Sequence, residues 1–95
     1  MTARELLTRK MVAGFTDLQT LLLLVLADRE LMTLSDLAHE VRRPIPSVSM
    51  AVRVLVEDGY VIKDTDRRPF ALVFLYLSDA GKCKLAWLLG RGAER

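Results

Sequence analysis

The chain has 95 residues, enough for one domain with a modest core. Apolar residues make up 52% and charged residues 27%, which excludes a disordered chain and leaves a surplus of apolar side chains that implies a face buried against another chain. The net charge of +2 is compatible with a nucleic-acid partner but too small to argue for one.

The first predicted element is a short helix over residues 1–14. Thr2 and Glu5 form a Thr-x-x-Glu capping box, Leu6, Leu7, Met11 and Val12 give one apolar face, and Gly14 stops it. So short a helix is marginal alone and is expected to pack on a partner subunit or on the C-terminal helix.

A second helix is predicted over Phe15 to Asp28. Thr16 and Gln19 make its capping box, and Phe15 is placed for a hydrophobic staple. Leu18, Leu21, Leu22 and Val25 form one stripe, and Leu23, Leu24 and Leu26 extend it around the helix. A helix apolar all round is a buried one, and in so small a domain one side is expected to meet another chain. Leu31 and Met32 read as a short extended link.

Residues 33–59 carry the central pattern, TLSDLAHEVRRPIPSVSMAVRVLVEDG. Thr33 and Asp36 start a helix whose apolar face is Leu37, Ala38 and Val41. Pro44 and Pro46 stop it and open the next helix, because proline is tolerated in a first helical turn and nowhere later. Val48, Ala51, Val52 and Leu55 give that helix its apolar face, and Gly59 ends it. Two short helices joined by a few residues are a helix-turn-helix, whose second helix is ordinarily the one laid in the DNA major groove.

Residues 60–77 read as a wing. Tyr60-Val61-Ile62 is one strand, Asp64 to Pro69 a charged turn, and Phe70 to Leu77 the return strand. A last helix over residues 78–90 is capped by Ser78 and Asp79, carries Leu85, Ala86, Leu88 and Leu89 with Trp87 on its flank, and ends at Gly90 and Gly92. The expected fold is thus mainly α with a small β-hairpin: a single winged helix-turn-helix domain (α+β) over residues 1–95, flanked by terminal helices.

On the second helix of the motif the exposed positions are Ile45, Ser47, Ser49, Met50, Arg53 and Val54. Ser47, Ser49 and Arg53 are candidates for bases and phosphates, since serine contacts several base edges and arginine forks onto guanine. The apolar members, Met50 among them, suit thymine methyls or, alternatively, a protein surface. Arg42 and Arg43 lie in the preceding turn and Arg67 and Arg68 at the wing tip, where phosphates would pass. From Arg42 to Arg68 six basic residues face four acidic ones, so any positive patch must come from geometry. Asp64 and Asp66 offer the other role for the wing arginines, as exposed ion pairs stiffening the hairpin.

Several functions find no support. No glycine loop, nucleophile with a base, or metal-ligand spacing is present, so neither an enzyme nor a cofactor is expected. His39 lacks a second ligand and reads as solvated. Cys83 excludes an internal disulfide and fits a reducing cytoplasm; a free cysteine is more often a small buried hydrophobe, and redox sensing would require exposure. The longest apolar run, residues 21–27, is too short for a bilayer, and a signal peptide is not recognisable, so a soluble cytoplasmic protein is expected.

Four stretches in order resemble the winged helix-turn-helix of the MarR family of bacterial transcription regulators. LSDLAHEV looks like the family's first motif helix and SVSMAVRVLVEDGYV like its recognition helix and following strand. Asp66-Arg67-Arg68 looks like the Asp-x-Arg of the wing tip and LSDAGK like the Leu-Thr-x-x-Gly after it. The resemblance covers roughly residues 18–89. It implies a homodimer joined through terminal helices, double-stranded DNA as partner, recognition helices in successive major grooves and wing arginines at the minor groove or its phosphates. The chain is shorter than the family's usual length, without its long C-terminal helix pair, so no large ligand pocket is expected and an effector is unassigned. The alternatives within the same fold are a protein-interaction module and a plasmid or phage replication or partition factor.

Overall fold

The computed structural model describes residues 2–5, 14–65 and 73–90. The elements run α1 (Asp17–Arg29), β1 (Met32–Thr33), α2 (Leu34–Val41), α3 (Ile45–Glu57), β2 (Val61–Thr65), β3 (Val73–Leu77) and α4 (Asp79–Leu88). The strands form an antiparallel sheet in the order β1-β3-β2. This is a winged helix: a helix-turn-helix, α2 and α3, beside a small sheet. The backbone N–H of Glu5 donates to Thr2 Oγ1 at 3.2 Å, as a helix start there requires; residues 6–13 of that predicted helix lie outside the described residues.

Local chemistry sets each helix start. Thr16 and Gln19 close a reciprocal capping box on α1, each side chain accepting from the other's backbone N–H at 3.1 Å. Phe15 does not staple onto α1, because the facing position is Thr20, whose hydroxyl donates back to Thr16 O. Phe15 instead meets the edge of Tyr60, ring centroids 5.5 Å apart at 77°. Thr33 Oγ1 accepts from Asp36 N at 3.2 Å to start α2. Pro44 is the N-cap of α3 with Pro46 in its first turn and no side-chain cap.

The buried side of α1 departs from the expected stripe. Gln19, Thr20, Leu22, Leu23 and Leu26 are buried, whereas Leu21 is 38% exposed and Leu18, Leu24 and Val25 are half-buried. The core adds Leu37, Ala38 and Val41 of α2 and Val48, Val52 and Leu55 of α3, closed by Leu75, Leu77, Leu85 and Leu88. Arg29 Nη2 reaches Glu40 Oε1 at 3.0 Å and ties α1 to α2; this hydrogen bond, and then the opposite charge, raise the Arg29 pKa above its ordinary value.

Two further corrections concern the sheet. Met32, read with Leu31 as an extended link, instead forms a strand with Thr33, pairing with Leu75 and Phe74. The chain enters it by a γ-turn at Glu30 (φ 70°), with Leu31 N–H donating to Arg29 O at 2.8 Å. The first wing strand runs on through Lys63, Asp64 and Thr65, each paired across to β3. The return strand is described only from Val73.

Tyr60 is the joint that sets α3 against α4. The chain leaves α3 by a Schellman turn: Gly59 N–H donates to Val56 O (3.0 Å), Tyr60 N–H to Leu55 O (2.9 Å), and Gly59 takes φ 82°. Ser78 then binds this turn from the other side. Its N–H donates to Tyr60 O at 3.1 Å and its hydroxyl to Gly59 O, while the same Oγ accepts from Gly81 N at 3.0 Å to cap α4. Gly81 packs so close that a Cβ there would lie 2.0 Å from Tyr60 O. The LSDAGK stretch is therefore a clamp between α3 and α4, which explains its serine and its glycine.

Candidate nucleic-acid interface

The outward surface of α3 is uncovered. Ile45, Ser47, Ser49, Met50, Arg53 and Val54 are all exposed, as the periodicity predicts. Pro46 is exposed too, and with Met50 and Val54 it makes an apolar stripe at four-residue spacing, one side chain per turn. That role for Pro46 was legible in the spacing and is masked by its role as a helix opener. Met50 stands furthest out, 74% exposed, against 48% for Ile45 and 41% for Val54.

Arg53 is not free on this face. Its Nε donates to Glu57 Oε1 at 3.2 Å, one turn along the same helix. Such an exposed pair is weak and opens readily. Its consequence is electrostatic, since the only cation of α3 is matched by its only anion. Ser49 and Arg53 also lean toward the sheet, lining with Lys63, Val56 and Val73 an apolar slot between α3 and the wing strands.

Arg42 and Arg43 form the turn between the two motif helices, both exposed, and among the described residues neither makes an ion pair. The turn is the same Schellman motif that ends α3: Arg42 N–H donates to His39 O (3.2 Å) and Arg43 N–H to Ala38 O (3.1 Å). Here, however, the left-handed position is filled by Arg42 (φ 56°), where α3 uses glycine. A side chain in that region costs about 1–2 kcal/mol. The Schellman bonds hold Arg42 there, and strain of this kind clusters at functional sites. Arg42 and Arg43 line a shallow concavity with Ser35, His39 and Ile45, between the C-terminal end of α2 and the N-terminal end of α3.

Arg67 and Arg68, with Asp66, lie outside the described residues. His39 is exposed, as the sequence reading expects, and also lines the concavity beside Arg42 and Arg43. Cys83 is exposed, contrary to the usual burial of a free thiol, because it falls on the outer side of α4. The ammonium of its neighbour Lys84 sits over the rings of Tyr60 and Trp87, 5.7 and 5.4 Å from their centroids. Among the described residues no three His, Cys, Asp or Glu side chains gather as metal ligands, and no helix is long and apolar enough to cross a membrane. A groove of about 470 Å³, open along one side, lies apart from α3 between α1, β3 and α4.

Comparison with known proteins agrees with this geometry. The sequence model of the MarR family matches residues 13–69. No curated protein matches the chain. Among solved structures, the YusO protein of Bacillus subtilis superimposes with a TM-score of 0.81 at 20% identity, over 95% of this chain and 64% of that one. A mutant MarR from E. coli complexed with operator DNA gives 0.80 at 16% identity, over 92% and 62%. A MepR mutant from S. aureus bound to an oligodeoxyribonucleotide gives 0.82 at 19% identity, over 92% and 64%. At these identities the likeness is one of fold, and the chain spans less than two thirds of each of these structures.

Proposed function

The chain belongs to the MarR family, and from that premise we propose that it is a DNA-binding transcriptional regulator, without enzymatic activity, that reads double-stranded DNA as a homodimer. The observation that carries the reading is the pairing of an uncovered α3 with two arginines in the turn before it that, among the described residues, make no ion pair, one of them held in a strained backbone conformation. Two structures of the same fold were solved with operator DNA or an oligodeoxyribonucleotide, which supports the same use of the fold here.

In this reading α3 lies in the major groove, with Ser47, Ser49, Met50 and Arg53 facing bases and nearby phosphates. Arg42 and Arg43 grip the backbone as α3 enters, and Arg67 and Arg68 reach it from the wing. Such phosphate contacts position the protein, while base contacts specify the sequence. The outer side of α1, where Leu21 is exposed and Leu18 and Val25 are half-buried, supports dimerisation through helices outside the helix-turn-helix. A two-fold dimer would read an inverted repeat with half-sites about 34 Å apart.

The test is a gel shift on duplexes of random sequence. Replacing Arg42, Arg43 and Arg53 together with alanine is expected to lower affinity at least tenfold, each lost phosphate contact removing part of the counterion release. Unchanged affinity would contradict this mode of binding. Absence of any duplex binding at low salt would contradict the reading itself and leave the α3 stripe as a surface for protein partners. Light scattering tests the dimer, which a monomer would refute.

A further inference from the structure

The first two turns of α3, Ile45 to Val52, contain no charged and no amide side chain. These are the turns that meet base edges in a helix-turn-helix. Val48 and Val52 are buried and Ala51 is half-buried, so the bases would meet Ile45, Pro46, Ser47, Ser49 and Met50. The two serines are short, and a hydroxyl accepts or donates to any base, so they discriminate weakly. The side chains with reach are Met50 and Ile45. The arginine fork that reads guanine is available only beyond these two turns, at Arg53, which pairs weakly with Glu57.

One major-groove group is complementary to such a surface, the C5 methyl of thymine. Resting on the DNA-binding reading above, we infer that α3 selects its half-site through thymine methyls, with Met50 as the principal specificity residue and Ile45 and Val54 flanking it. The stripe from Pro46 to Val54 is about 12 Å long, enough to pass three or four base pairs. Methionine suits the task because its unbranched thioether adapts to methyls at slightly different positions. The predicted half-site is rich in thymine on the strand or strands under α3 and poor in obligatory guanine.

The experiment uses a fluorescein-labelled duplex that the full chain has itself selected from a random library. The duplex is resynthesised with deoxyuridine in place of thymidine, one position at a time, which removes the methyl and keeps every hydrogen-bonding group. At two or more positions per half-site the affinity is expected to fall about fourfold, the transfer value of one buried carbon. Met50→Ala is expected to retain salt-sensitive binding and to lose the deoxyuridine effect at one of those positions. Met50 is so exposed that its truncation leaves the core intact, which a thermal melt of the variant verifies. Tight, salt-sensitive binding that ignores deoxyuridine everywhere would overturn the inference and leave the DNA-binding reading standing. An unchanged deoxyuridine profile in Met50→Ala would overturn the assignment to Met50. No selected duplex at all would overturn both together.

Discussion

Gly81→Ala sets two physical effects against each other. Gly81 lies inside α4, where alanine is the better helix former by about 0.8–1 kcal/mol. Propensity alone therefore predicts stabilisation. The packing predicts the reverse, because the new Cβ would lie 2.0 Å from Tyr60 O, 3.0 Å from its carbonyl carbon and 3.3 Å from its Cα. These are backbone atoms at the Schellman turn ending α3, and they cannot swing aside as a side chain would. Moving Tyr60 O also disturbs the bond it accepts from Ser78 N. Overpacking of this kind costs about 1–3 kcal/mol, and a clash with backbone belongs at or above the upper end. After the propensity gain the net loss is about 2 kcal/mol, or roughly 8–16 °C in Tm for a domain of this size. Urea and thermal melts followed by circular dichroism measure it. A Tm equal to or above that of the unsubstituted protein would refute the close approach of α4 to α3.

Other substitutions separate stability from binding. Arg42→Gly relieves the left-handed strain at a cost in unfolded-state entropy, so melts should show a gain of roughly 0.5–1 kcal/mol; DNA affinity, measured on the same sample, should fall. A variant that is neither stabilised nor weakened in binding would remove the argument that Arg42 is strained for function. Thr16→Ala breaks the α1 capping box and should cost about 1 kcal/mol in urea unfolding with an unchanged m-value. Glu57→Gln keeps an acceptor for Arg53 but removes the anion that offsets its charge on the α3 surface, so non-specific duplex affinity should rise and its salt dependence steepen.

The helix-turn-helix was legible because each boundary has its own chemistry. Thr33 caps α2, Pro44 and Pro46 open α3, and Gly59 supplies the left-handed turn that ends it. The apolar positions of α2 and α3 recur at helical spacing with polar residues between them, so the buried faces could be assigned. In α1 leucine occupies nearly every turn position, and a pattern without polar gaps carries no phase; the buried face therefore fell on Leu22, Leu23 and Leu26 rather than on Leu18, Leu21 and Val25. Strand β1 is two residues long, too short for alternation, and exists only because Met32 and Thr33 meet Leu75 and Phe74. At the candidate interface the exposed residues of α3 followed from spacing. Two features did not follow. The left-handed Arg42 occupies a position where sequence reading expects glycine, and the Arg53–Glu57 pair is visible as an i,i+4 spacing but acquires meaning only on a helix with no other charge.

The central claim is contact with duplex DNA through Arg42, Arg43 and the α3 surface. Fluorescence anisotropy of a labelled random duplex, titrated with the protein across a salt series, tests it most directly. The account predicts binding at low salt that weakens roughly a hundredfold or more between about 50 and 200 mM salt, as several released counterions require. Binding that is absent at the lowest salt, or indifferent to salt throughout, would contradict it.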